Sequence, residues 1–229
     1  MHTRTKVWTL AALGALTLVA GPAAHAGGIA PTTQEHAAST AQGHARSTVQ
    51  GGRTGREGDD IEGAGDHPVL ARFAGARINA YSRQDYDEAQ MPDRAIKDDD
   101  KVQVLALEGR VTRIGYFIDG VKSALEVYRN YEAALKQGGF ETLFTCKNDA
   151  QCGEAFQPYV LNSGKVRIRG EGDATIGGNY YAVLAKKAAP AGDVYVFLDI
   201  MHDDVNQITP VFQQVVEVLP MTRGQVKAP

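Results

Sequence analysis

Two histidines, His67 and His202, fall in the stretch of chain whose composition can fold, and each sits beside acids, in Asp66-His67-Pro68 and His202-Asp203-Asp204. Imidazole and carboxylate together suit metal binding or proton transfer. With Arg72 as a cationic partner, the set His67, Arg72, His202, Asp203 and Asp204 is the first suspect for a polar site assembled from distant residues. The spacing matches no metal-ligand signature, so neither a metal nor a cofactor is implied. His202 also follows a strong strand pattern, where a polar cluster simply marks a loop.

The other chemistry-bearing residues are weaker. Asp98-Asp99-Asp100 lacks the alternating acids and the twelfth-position Glu of a calcium loop, and reads as a solvated turn. Ser82, Ser123 and Ser163 are the serines of the foldable part, and none lies in G-x-S-x-G. Gly170-Glu171-Gly172 and Gly177-Gly178 complete no phosphate-binding pattern. Lys165, Arg167 and Arg169 alternate with aliphatic residues, as on the solvated face of a strand. No nucleophile, base and oxyanion donor come together in these motifs, so no catalytic residue is assigned.

Cys146 and Cys152 are the two cysteines of the chain, with five residues between them. This is neither C-x-x-C nor half of a four-cysteine zinc site. Asn148-Asp149 favours a turn between them, so an oxidising compartment would make them a disulfide.

The elements that must position these residues can be read from pattern. Arg77–Tyr81 alternates as a strand; Lys101–Leu107 and Arg110–Ile118 read as two strands joined by a tight turn at Glu108-Gly109. Ser123-Ala124-Leu125-Glu126 is a capping box. Leu125, Tyr128, Tyr131 and Leu135 recur at helical spacing, predicting a helix over Ala124–Gln137 that stops at Gly138-Gly139. Phe140–Thr145, Tyr180–Lys187 and Val194–Met201 read as strands, Phe156–Leu161 is ambiguous, and Glu171–Asn179 is a Gly-rich turn. Val211–Leu219 favours strand through its valines. Strands with one clear helix predict an α+β domain, a mainly antiparallel sheet with that helix packed on one face.

The N-terminus differs in kind. A basic start, Arg4 and Lys6, leads into a 14-residue apolar run from Val7 to Ala20, then Gly21-Pro22 and Ala24-His25-Ala26. This is the pattern of a secretory signal peptide over residues 1–26. The competing reading, a membrane anchor, needs roughly 20 apolar residues. No later stretch is apolar enough to span a bilayer. Removing that segment takes two bases and no acid, moving the net charge from -3 to -5. That balance excludes a nucleic-acid binder relying on bulk positive charge. Residues 27–65 are poor in large apolar side chains and read as a disordered leader, leaving residues 66–226 as the domain. His36 and His44 fall in this leader without further ligands beside them.

The stretches Asp66-His67-Pro68-Val69-Leu70-Ala71-Arg72-Phe73-Ala74-Gly75, Glu108-Gly109-Arg110-Val111-Thr112-Arg113-Ile114, Leu125-Glu126-Val127-Tyr128-Arg129-Asn130-Tyr131, Gly139-Phe140-Glu141 and Val215-Val216-Glu217-Val218, with the cysteine pair, follow one another in an order that resembles an envelope domain of Gram-negative bacteria. That domain often precedes an OmpA-like peptidoglycan-binding domain. The likeness covers about Asp66 to Val226 and implies an envelope setting, with envelope proteins or cell-wall components as partners. The family has no established catalytic residues, so the resemblance implies none here. The sequence ends at Pro229, where the OmpA-like domain would begin, so peptidoglycan binding is not carried over.

The expectation is therefore a non-enzymatic periplasmic or envelope-associated binding or scaffold protein. The alternative is a periplasmic enzyme or small-ligand binder using the His67, Arg72, His202, Asp203 and Asp204 set. The expected location is the periplasm, with secretion beyond it a third reading that a signal of this kind also allows.

Overall fold

The computed structural model describes residues 59–167 and 179–227. The expected signal peptide, the leader up to residue 58, the Gly-rich turn over residues 171–178 and Arg169 lie outside them.

Six strands form one antiparallel sheet: β1 (Arg77–Met91), β2 (Leu105–Asp119), β3 (Glu141–Lys147), β4 (Tyr180–Lys187), β5 (Val194–Met201) and β6 (Ile208–Glu217), in the order β1-β2-β6-β5-β4-β3. Three helices accompany it: α1 (Ala124–Gln137), α2 (Asn148–Cys152) and α3 (Phe156–Asn162). The architecture is α+β. The expected single helix is joined by two short ones, and both sheet faces are covered.

Side-chain alternation shows this directly. On β4, Tyr181, Val183 and Ala185 join the core under α1, while Tyr180, Ala182 and Leu184 join the core that includes Phe156 and Val160 of α3. Period two sends neighbours to opposite faces, so near-continuous apolar runs such as those of β4 and β5 follow from burial on both sides.

Helix α1 starts where Ser123 Oγ accepts from Glu126 N at 3.1 Å. Glu126 itself is taken by Lys122 Nζ at 2.6 Å. The buried stripe is Ala124, Val127, Tyr128, Tyr131 and Leu135, packed on β4 and β5. Leu125, expected in that stripe, is exposed instead; it lies about 100° from Ala124 around the helix, off the packed side. Burying these side chains contributes on the order of 10 kcal/mol before chain entropy is charged against it.

Three expectations are corrected. Glu108-Gly109 is not a turn: β2 runs straight through it, pairing Gly109 with Asp87 of β1, so the hairpin is formed by β1 and β2 themselves. Gly109 is needed for close approach, since a Cβ there would lie 2.1 Å from the Glu217 carbonyl oxygen. Next, β1 extends to Met91, and its polar character reflects an exposed edge-strand segment over residues 83–88. Finally, packing begins before residue 66: Asp60 Oδ1 accepts from Ile78 N at 2.7 Å, Ile61 N donates to Ile78 O at 3.1 Å, and Ile61 packs against the first core.

The ambiguous Phe156–Leu161 segment is α3. The valine-rich C-terminal run is β6, at the centre of the sheet. Cys146 at the end of β3 and Cys152 at the end of α2 are joined, with S–S 2.03 Å. The next residue, Gly153, holds φ +93°, and a Cβ there would meet the Ile96 carbonyl oxygen at 2.2 Å. The chain closes tightly at this point: Ile96 N donates to Cys152 O, and Ala155 N to Ile96 O. The loop before β2 is thereby tied to the start of α3.

Candidate functional site

The five residues singled out from the sequence do not converge. His67 lies near one end of β6, with Nε2 3.7 Å from Glu217 Oε2. Its Nδ1 accepts from Val69 N at 3.3 Å, so the ring proton sits on Nε2. Burial pulls its pKa below the ordinary histidine value, against the raising pull of Glu217. His202 lies at the other end of β6. Thr209 Oγ1 donates to the Lys122 carbonyl, so His202 Nδ1, 2.9 Å from that hydroxyl, is the donor to it. Glu217 and Thr209 are eight residues apart on one strand, which separates the two imidazoles by roughly 26 Å.

The acids beside His202 shape the β5–β6 turn. Asp203 accepts from Val205 N, Asn206 N and Asn206 Nδ2, all within 3.0 Å, and its backbone pairs with Ile208. Asp204 is exposed, with Oδ1 3.2 Å from His202 Nε2.

Arg72 belongs to a different structure. Its Nη1 donates to Asp60 at 2.7 Å and its Nε to Asp66 at 2.8 Å, with the guanidinium carbon 5.7 Å from the centre of the Tyr116 ring. Tyr116 Oη donates to Asp66, and Tyr131 Oη accepts from Phe73 N. The Arg72 hydrogen bond holds the Asp60 carboxyl below its ordinary value, and the two carboxylates push Arg72 further up. This network docks residues 60–76 onto the α1 face of the sheet. Among the described residues, no three His, Cys, Asp or Glu side chains are placed to hold a metal ion.

The opposite face carries the polar groups that pattern reading passed over. Arg113 of β2 is buried and lies in register between Ser82 of β1 and Gln214 of β6. Its Nε donates to Val166 O at 3.2 Å, and Nη1 is 3.8 Å from Asp87 Oδ2. Arg167 is also buried, 5.9 Å over the Phe212 ring. The expected solvated strand face is therefore not what residues 165–167 form; Val166 and Arg167 turn inward. Asp199 of β5 is fully buried and accepts from Gln157 Nε2 of α3 at 2.9 Å. Burial pushes its pKa up to about 7, against the lowering pull of Gln157 and Arg167. Among the described residues, Asp199 Oδ2, Gln157 Oε1 and both amide atoms of Gln214 have no hydrogen-bond partner.

This polar layer approaches the surface at a cleft of about 290 Å³ between β1 and the turn at Gly164-Lys165. Strand β1 lines it with Ser82, Gln84, Asp87, Glu88 and Gln90; Arg113 and Lys165 contribute the cations. Gln90 is fixed by Lys165 O, which accepts from its N–H at 3.4 Å, and by the Tyr159 hydroxyl, which donates to its side-chain oxygen. Ser82 Oγ is buried without a partner among the described residues. One sequence signal could have found this region: Arg113, Asp199 and Gln214 are polar residues inside largely apolar strand runs, where burial makes a polar group costly.

A cation anchored by Val166 O, carboxylates of β1 and the Gln90 amide, held by the Tyr159 hydroxyl, line a small polar cavity, a lining that can bind a polar ligand. No protein-family model matches this chain, and no curated protein matches it either.

Proposed function

We propose that this chain is an exported, non-enzymatic binding protein of the Gram-negative envelope, and that the β1 cleft is where it binds. The observation that carries the binding reading is Arg113, a buried guanidinium in the wall of a polar cleft. Burying a cation is costly unless it is paired, and Arg113 is held in place by Val166 O and the Asp87 charge.

The envelope setting is supported by other features. The N-terminal residues have the form of a signal peptide. The Cys146–Cys152 bond suits an oxidising compartment, and no helix among the described residues is long and apolar enough to cross a membrane. The resemblance to the domain that precedes OmpA-like modules points the same way. We assign α1, which closes the first core, to scaffolding, and binding to the edge of the second face, where β1 meets the turn after α3.

The test is thermal unfolding of the purified full chain in the presence of periplasmic and cell-wall extracts. A rise in Tm of several degrees is expected, lost in Gln84→Trp, which fills the cleft from an exposed position. No shift with any extract, or a chain that fractionates with the cytosol and keeps its N-terminal apolar segment, would sink the proposal.

A further inference from the structure

The two edges of the sheet, β1 and β3, are defended unequally. A sheet edge offers unpaired N–H and C=O groups to any further strand, and proteins blunt it with charges, bulges or a covering segment. Strand β1 has all three. Asp60 and Ile61 bond the backbone of Ile78, and Lys165 O accepts from Gln90 N. Its exposed middle carries Arg83, Asp85, Asp87 and Glu88, with a bulge between Gln84 and Asp87. Strand β3 has a bulge between Thr142 and Phe144 and little else. Among the described residues, the backbone of residues 141–146 bonds β4 alone. Its charges, Glu141 and Lys147, stand only at its two ends.

Between those charges the strand is uncharged. Leu143 falls in the bulge, outside the β4 pairing, and is 42 % exposed. Phe144 is half-buried against the α3-face core, its ring 6.3 Å from that of Phe156. Thr145 lies on the other face, 3.0 Å from the Tyr128 hydroxyl, and Lys147 Nζ is 5.3 Å from the centre of the Tyr181 ring. The Cys146–Cys152 bond fixes the end of the strand to α2, and Lys147 N donates to Gln151 Oε1 at 3.0 Å. An edge held in this way has little order left to acquire on pairing. The order of its residues is self-complementary. Laid antiparallel on a second β3 with Phe144 at the two-fold axis, Glu141 stands opposite Lys147, Leu143 opposite Thr145, and Phe144 opposite its own copy. Facing opposite charges stabilise a strand pair and facing like charges oppose it. A parallel pairing in register would set Glu on Glu and Lys on Lys. A two-fold interface needs one patch that complements itself, and this strand is such a patch.

We propose that β3 is a homodimerisation edge: two copies of this chain pair antiparallel through residues 141–147, with Glu141 of each facing Lys147 of the other. The strand offers 7 residues, well short of the roughly 20–30 a side of a standard interface. The dimer is therefore weak and reversible, with dissociation in the micromolar range. Because β1 is the opposite edge of the sheet, pairing through β3 leaves the β1 cleft at the outer edge of each copy.

Sedimentation equilibrium of the full chain, from micromolar to submillimolar concentration, tests this. A monomer–dimer equilibrium is expected, weakening as salt screens the end pairs. Glu141→Lys and Lys147→Glu, each alone, set like charges opposite one another at both ends and should weaken the dimer at least tenfold. Mixed in equal amounts, the two single variants should associate with each other, because their pairing restores opposite charges at both ends. The double variant should dimerise as the parent does. Leu143→Lys, at an exposed position, should abolish association, with Tm and circular dichroism followed for every variant. Should Lys147→Glu lose its fold along with the Tyr181 contact, Glu141→Lys and Leu143→Lys decide the matter. A chain monomeric throughout, a dimer indifferent to Glu141→Lys and Leu143→Lys, or folded single variants that fail to associate when mixed would overturn the assignment.

Discussion

The α1 face of the sheet keeps its charges in closed pairs, while the α3 face leaves polar atoms of Asp199 and Gln214 without hydrogen-bond partners among the described residues. On the first, Arg72 is gripped by Asp60 and Asp66, Asp66 is also bonded by Tyr116, and Tyr131 receives Phe73 N. On the second, Asp199 uses one oxygen on Gln157 and leaves the other without a partner, and Gln214 leaves its whole amide so, among the described residues. The first face is not wholly closed, since Gln213 Oε1 is also unpartnered, but its Nε2 donates to Leu70 O. A saturated network stabilises one arrangement and gives a ligand nothing to gain. An open one costs stability, and such costs concentrate where chemistry or binding needs them. That is why the cleft beside Arg113, and not the more conspicuous Arg72 cluster, is the better place to look for function.

The sharpest way to break this comparison is pH. Asp199 is raised from 3.8 to about 7 by burial. A carboxyl raised on folding binds its proton more tightly in the native state. Stability should therefore fall as pH rises from about 4 to 7 and level off above. Asp199→Asn removes that slope. It should be more stable than the parent above pH 7, by up to about 4 kcal/mol, with no gain near pH 4. Urea unfolding at both ends of that range measures it. A variant less stable at pH 8 would show that Asp199 is ionised and paired, and that the second layer is as closed as the first.

Arg72→Met should cost about 2 kcal/mol, the scale of leaving a part-buried polar group without its partner. Here Asp60 and Asp66 both lose the guanidinium, while keeping Ile78 N and the Tyr116 hydroxyl as donors. The substitution should also flatten the acid limb of stability. Asp60 is held low chiefly by its Arg72 hydrogen bond, and that contribution is present above its ordinary value and lost as pH falls through the native one. A midpoint unchanged in urea would mean that the first network holds nothing together.

Replacing Cys146 and Cys152 with Ala should cost roughly 2–3 kcal/mol on the chain-entropy account of so short a loop. Hydrogen exchange should then speed up in α2 and α3, which cover the second layer, with α1 unaffected. Equal acceleration on both faces would show that the two layers unfold as one unit.

Much of the fold was legible because its signals are local. Ser123 capping, the helical stripe through Tyr128, Tyr131 and Leu135, and the apolar runs of β4 and β5 depend on neighbours in sequence. Glu108-Gly109 misled because a glycine that turns a chain and one that admits a carbonyl from a distant strand look the same in one dimension. The strand pattern stops at Tyr81 in the sequence although β1 runs to Met91, because an edge strand exposes polar side chains as a loop does. The candidate site was less legible. His67 and His202 were conspicuous by residue type but sit at opposite ends of β6, a separation set by long-range pairing. Arg113 and Asp199 carried a readable signal, a charge inside an apolar strand, that says where burial is costly without saying which residues share the cost.

The smallest expected effect is also the most direct comparison of the faces. Tyr131→Phe removes the hydroxyl that accepts from Phe73 N. Stranding that backbone N–H should cost about 1–2 kcal/mol. Gln214→Met removes an amide with no partner among the described residues and keeps much of its volume. The change should lie within about 1 kcal/mol of neutral, on the stabilising side. The two substitutions delete polar atoms of similar burial on opposite sides of one sheet, so size and position largely cancel and what remains is whether a partner was lost. If Gln214→Met instead costs as much as Tyr131→Phe or more, the amide is satisfied in solution. The open layer would then be closed by water or ligand, and the difference between the faces would be one of occupant, not of design.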